Sequence, residues 1–228
     1  MNRALIISIT TVLICFTNTA KASDKGFAIL EAKCSSCHTI KGSSAATVDE
    51  MLNRKAPDLI DSGFKFKEGW LAKWLENPKR IRPAGYIYFN HIEEGTKEDV
   101  VKESSLKPHM KLSKEDAAEA AKALMTLKTN EVAMTKDVPD GPASFMGEMY
   151  FDKLSGCLAC HQIEPGYGGY SGPELYTAKD RLTRDFVFSF IKNPELFNPK
   201  SIMPNKELSE KALQEVTAFI MTLETEGE

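Results

Sequence analysis

The chain has no surplus of positive charge, few histidines and no long apolar run beyond its first residues. Its 29 lysines and arginines meet 32 acidic residues, a formal charge of −3. No basic patch dominates, which argues against nucleic acid as a partner. Low-complexity tracts are missing as well, and with 42% hydrophobic and 27% charged residues the 228-residue chain is able to bury real cores. Only four histidines, two tryptophans and five cysteines occur, so any pattern among them carries information.

The one apolar run is Ala4 to Phe16, preceded by Arg3 and followed by Ala20-Lys21-Ala22. A short basic start, an apolar stretch and a small-x-small site form the pattern of an export signal, too short for a comfortable membrane span. Residues 1–22 are therefore expected to be removed; Ile14 before Cys15 is too bulky for the usual lipoprotein-processing signal. Cleavage leaves 27 basic and 32 acidic residues, a net charge of −5. No later segment is apolar enough to span a bilayer, so the expectation is a soluble protein of the periplasm or an equivalent exported compartment.

The four remaining cysteines read Cys34-Ser35-Ser36-Cys37-His38 and Cys157-Leu158-Ala159-Cys160-His161. Cys-x-x-Cys-His is the attachment pattern of heme c. Two thiols three positions apart on one turn each form a thioether to the same macrocycle, and the following histidine supplies the proximal nitrogen to iron. Paired disulfides or a zinc site would use the same cysteines. Neither explains a histidine directly after both pairs, and a thioredoxin-like motif would want a βαβ context that is missing. Two covalent hemes are expected, on Cys34 and Cys37 with His38, and on Cys157 and Cys160 with His161.

The chain repeats around these motifs. Ala56-Pro57-Asp58-Leu59 matches Gly172-Pro173-Glu174-Leu175, Trp70 to Pro78 matches Phe186 to Pro194, and Pro83 matches Pro199, all at an offset of 116. In both blocks the apolar residues fall at helical spacing and Asn-Pro ends the helix. Leu112-Ser113 and Leu208-Ser209 each open a further helix, Ser113 with Asp116 as a capping box. Thr129 to Ser144, with Pro139, Asp140-Gly141 and Pro142, reads as a linker. The expected units are 23–128 and 145–228, joined by 129–144.

A low-spin electron-transfer iron needs a second axial ligand. Met203, in a loop between prolines before the last helix, lies outside the helical periodicity and is expected to bind the second iron rather than fill a core. Met110 has the corresponding place in the first half, although its loop to the final helix is three residues shorter. His109 beside it is an alternative, which would lower that heme's potential, and His91 is a third candidate. The first half also carries 23 more residues than the second between proline and methionine. Its aromatics, Tyr86, Tyr88 and Phe89, are expected to cover heme edge or core, and Gly166 to Tyr170 to form a loop beside the second heme.

These residues resemble class I (mitochondrial-type) cytochrome c domains, and their doubling resembles the diheme cytochrome c4 type. The resemblance covers nearly the whole chain after the leader and implies an all-α fold, two tandem domains each wrapped around one heme c. It further implies that the carbonyls of Pro57 and Pro173 hold the proximal histidines. First and last helices should meet at Gly26 and Leu30 in one half and at Gly147 and Phe151 in the other. Phe219 would be the partner there and Ala123 its smaller counterpart, with two extra residues before Cys157. The implied activity is single-electron transfer between redox proteins, not catalysis. A heme subunit of a larger periplasmic oxidoreductase is the alternative reading, and a diheme peroxidase the remoter one.

Overall fold

The computed structural model describes residues 24–96 and 99–224; the expected leader, with Cys15 and its cleavage site, lies outside the described residues. Helix α1 (Asp24–Ile29) runs into a wide turn, Leu30–Cys34, which delivers the first cysteine. There follow α2 (Val48–Leu52), α3 (Ser62–Lys65), α4 (Glu68–Glu76) and α5 (Lys114–Met125). The second half repeats the series: α6 (Phe145–Met149) with its own wide turn, Tyr150–Leu154, then α7 (Ala178–Arg181), α8 (Arg184–Lys192) and α9 (Glu210–Ile220). The pairs α3/α7 and α4/α8 differ by 116 in number, the offset read from the sequence.

Local chemistry sets the ends. Asn77 and Asn193 cap α4 and α8 because the next residue, proline, cannot continue the ladder. Ser113 Oγ accepts from the Asp116 amide at 3.2 Å, but the Asp116 carboxylate pairs with Lys33 and Lys25. The return half of the expected capping box is thus given up to an ion pair. A full box forms instead at Thr47 and Glu50, where the Glu50 side chain accepts from the Thr47 amide at 3.0 Å.

Each half has its own apolar core. Leu30, Leu71 and Leu75 close on the alanine face of α5, from Ala117 to Leu124. Phe151, Val187, Phe188 and Ile191 close on Leu213, Val216 and Ile220 of α9. First and last helices meet where glycine allows it. A Cβ on Gly26 would lie 2.5 Å from the Glu119 carbonyl oxygen and 2.9 Å from Ala123 Cβ; on Gly147 it would lie 2.5 Å from Glu215 O and 3.0 Å from Phe219 Cβ. Phe151 and Phe219 pack with ring centres 5.4 Å apart. Ser155 and Gly156, the latter at φ +66°, are the two extra residues before Cys157. Gly147→Ala is expected to destabilise the chain by about 1–3 kcal/mol, because the clash is with backbone and cannot be relieved by a rotamer. A denaturant midpoint within error of the parent would refute the contact.

The halves join through paired main chain. Phe66 bridges Leu182 in antiparallel sense. The Lys67 amide donates to Arg181 O and the Thr183 amide to Lys65 O, both at 3.0 Å. Adding or subtracting 116 turns each of these bonds into the other, so a local two-fold axis passes between Phe66 and Leu182. Glu174 N to Ile81 O at 2.8 Å and Ser44 Oγ to Phe197 O at 2.9 Å extend the seam.

Three features depart from an all-helical pair with a free linker. Ile92–Glu93 pairs with Val100–Val101, and Gln162–Glu164 with Tyr167–Gly168, as two small antiparallel ribbons. The segment 129–144 is laid down on the protein: its Asn130 binds Asp61, Thr135 binds Ser189 and Val138 binds Asp185. The first-half insert reaches the other half, where Tyr170 donates from its hydroxyl to Asp99 O at 2.7 Å. Among the described residues no helix is long and apolar enough to cross a membrane.

Candidate functional site

Both Cys-x-x-Cys-His segments fold into the same turn. The amides of Cys37 and His38 donate to Cys34 O at 3.1 and 3.0 Å; those of Cys160 and His161 donate to Cys157 O, each at 3.1 Å. The turn sets two thiols and one imidazole at fixed spacing. None of these four cysteines is in a disulfide. Among the described residues no three His, Cys, Asp or Glu side chains converge as a metal-holding group, so the two pairs do not assemble one tetrahedral site.

Each proximal histidine is held from behind. His38 Nδ1 lies 2.7 Å from Pro57 O, and His161 Nδ1 lies 2.7 Å from Pro173 O. A carbonyl only accepts, so Nδ1 carries the proton and Nε2 keeps the lone pair a metal needs. Burial favours the neutral ring: it holds His38 below its ordinary value and lowers His161 to about 4, against the pull of the proline carbonyl in each case. Gly172 presses on this ring, since a Cβ there would lie 2.6 Å from His161 Cε1.

Both imidazoles line one cavity of about 380 Å³, walled by Trp70, Leu71 and Trp74 from one half and Val187, Ile191 and Ile220 from the other. Cys34, Cys157 and Met203 line it too. Met110 does not: both it and His109 are exposed on their loop, but only His109 also lines the cavity. The structure does not bring Met110, the expected ligand, to the cavity. With three fewer residues before the Ser113 cap, and with Leu112 N bonded to Leu75 O at 3.0 Å, the short loop points the methionine outward. His91 lies off this cavity, its Nδ1 2.8 Å from Ser105 Oγ. Of the insert aromatics Tyr86 lines the cavity as expected, whereas Tyr88 and Phe89 pack on each other and Phe89 is exposed.

Residues 146–224 match the family model described as Cytochrome c. This segment is a cytochrome c domain. No curated protein and no solved structure matches the chain. The cytochrome c domain implies a covalently bound heme c at Cys157 and Cys160 and electron transfer through it; bound there, the group supplies a one-electron ferric–ferrous couple.

The residues present fit that group on a further ground. Lys65, Arg82 and Arg181 all face the cavity. Burial lowers Lys65 to about 7, with Arg82 and Arg181 adding repulsion, and lowers Arg82 to about 10. Arg181 is neutralised by Glu174, but no carboxylate among the described residues comes within ion-pair reach of Lys65 or Arg82. Desolvated cations facing apolar space suit a flat apolar ligand with acidic edges, which is the chemistry of a heme and its propionates. This cluster carried no sequence motif: lysine and arginine are common, and only the fold brings residues 65, 82 and 181 together.

Proposed function

We propose that the chain is a diheme c-type cytochrome, two class I domains in tandem over 23–128 and 145–228, that passes single electrons between redox proteins of an exported, periplasmic compartment. One observation carries the reading: four features of the second cradle recur in the first. Cysteine turn, imidazole, proline carbonyl at 2.7 Å and glycine-mediated helix contact all recur around Cys34, Cys37 and His38. Both cradles open on one cavity, so two hemes would lie close enough to exchange electrons without a partner between them.

The insert bears on the larger-complex alternative. Its Ala84 and Asp99 bond to Tyr170 of the other half, so the segment already has work within the chain and needs no host enzyme to explain it. A peroxidase would need an iron with an open side, and the cavity is lined by His109 as well as His38 and by Met203 as well as His161. The net negative surface suits a partner with a basic face and an association that weakens with salt.

The test is a heme count on the purified holoprotein, by pyridine hemochrome against polypeptide and by intact mass. Two hemes per chain are expected, and one heme per chain overturns the proposal. Peroxide turnover with a high-spin ferric resting state would instead favour the enzymatic reading.

A further inference from the structure

We propose that His109, not Met110, is the sixth ligand of the first heme, so that a bis-histidine heme of lower potential is paired with a histidine–methionine heme in the second domain. The assignment rests on the diheme reading above, since it requires a heme on Cys34 and Cys37.

Four observations converge. First, the rings of His38 and His109 lie with centroids 6.1 Å apart, tilted by 54°. Two imidazoles bound on opposite sides of one metal, through nitrogens about 2 Å away, have ring centres roughly 6 Å apart. Second, His109 Nδ1 lies 2.8 Å from Met110 O. That carbonyl fixes the proton on Nδ1 and frees Nε2, the arrangement Pro57 and Pro173 impose on the proximal rings. By contrast His91 is paired with a serine hydroxyl, away from the cavity. Third, Trp74 lies against His109 at 4.8 Å between ring centres and holds its orientation. Fourth, when Ser113 and Ser209 are aligned, Pro108 falls on Pro204 and Lys107 on Met203. The usual methionine position is therefore lysine, His109 falls on Asn205, and Met110 falls on Lys206. Neither Lys107 nor Met110 lines the cavity.

The consequence is an ordered pair. An imidazole favours ferric iron more than a thioether does, so exchanging thioether for imidazole lowers the potential. An electron delivered to the first heme would then pass to the ferric iron of the second, and a one-electron acceptor protein would take it from the reduced second heme.

The ferric holoprotein carrying both hemes decides the matter. The red methionine-to-iron charge-transfer band should have half the intensity that two methionine-ligated hemes would give, with both hemes low-spin. Met110→Leu should leave this band and both midpoint potentials unchanged. His109→Ala should convert one heme to a high-spin form that added imidazole returns to low spin, and His109→Met should add a second methionine band. A full-intensity band in the parent, loss of a band in Met110→Leu, or an unaltered low-spin pair in His109→Ala overturns the assignment and leaves the diheme reading standing. A heme count of one overturns both.

Discussion

A chain carrying Cys157→Ser and Cys160→Ser is expected to retain one heme and to show no methionine charge-transfer band, while the Cys34→Ser, Cys37→Ser chain retains one heme and keeps the band. The thioethers would be the only carbon–sulfur bonds to each macrocycle, so their loss would leave the two axial bonds and apolar packing to retain it. Packing is then lost as well. If each heme fills about half of the shared 380 Å³ cavity, an emptied half costs on the order of 5 kcal/mol at roughly 24 cal/mol per Å³. That is comparable to the whole stability of a small domain, so the emptied half should unfold locally and become sensitive to protease. The two variants differ in what survives. The Cys157, Cys160 variant leaves His38 and His109 as a pair; the other leaves His161 with Met203. Equal bands in the two variants would contradict the unequal ligand sets, and two retained hemes in either would contradict attachment at these cysteines.

The parts of the molecule that were legible in the sequence are those set by short-range spacing. The Cys-x-x-Cys-His turns, the Asn-Pro helix ends and the Ser113 and Ser209 caps each depend on residues within a few positions of one another. The glycine contacts at Gly26 and Gly147 were readable only through the resemblance to class I domains, because their partners, Glu119 and Glu215, lie far along the chain. The offset of 116 showed a repeat but not its use in the seam, where Phe66 meets Leu182 about a local two-fold axis. His109 was visible as a candidate, yet which of two adjacent side chains turns inward is decided by Trp74 and the anchor at Leu75. No local pattern holds that information. The segment 129–144 reads as a linker because it is polar and rich in turn formers, and in the fold its amides find acceptors on Ser189 and Asp185.

Lys65→Met is expected to lower the midpoint potential of the His38 heme by roughly 50–100 mV, with little change at the other. Lys65 faces the cavity and is among the charges acting on His38, whereas Arg82 and Arg181 act on His161. A cation favours the reduced iron, which carries one positive charge fewer, so removing it favours the ferric state and the potential falls. A unit charge about 8 Å away at an effective dielectric of about 20 is worth roughly 2 kcal/mol. At about 1.4 kcal/mol and about 59 mV per tenfold, that is roughly 90 mV for a one-electron couple. With its pKa lowered to about 7, Lys65 is only part-charged at neutral pH unless an acidic group faces it, so the full effect requires a propionate partner. Lys65→Arg should hold the potential near the parent value, and a potential unmoved in a Lys65→Met chain with both hemes would remove this lysine from the electrostatics of the site. The equivalent residue in the second half answers differently. Arg181 is 2% exposed and bound to Glu174, itself 3% exposed, so its charge is already balanced. Replacing it shifts the potential less, but leaves a buried carboxylate unpaired and costs roughly 3–5 kcal/mol of stability. One position of the repeat would thus tune a heme, while its mate, 116 residues on, is committed to Glu174.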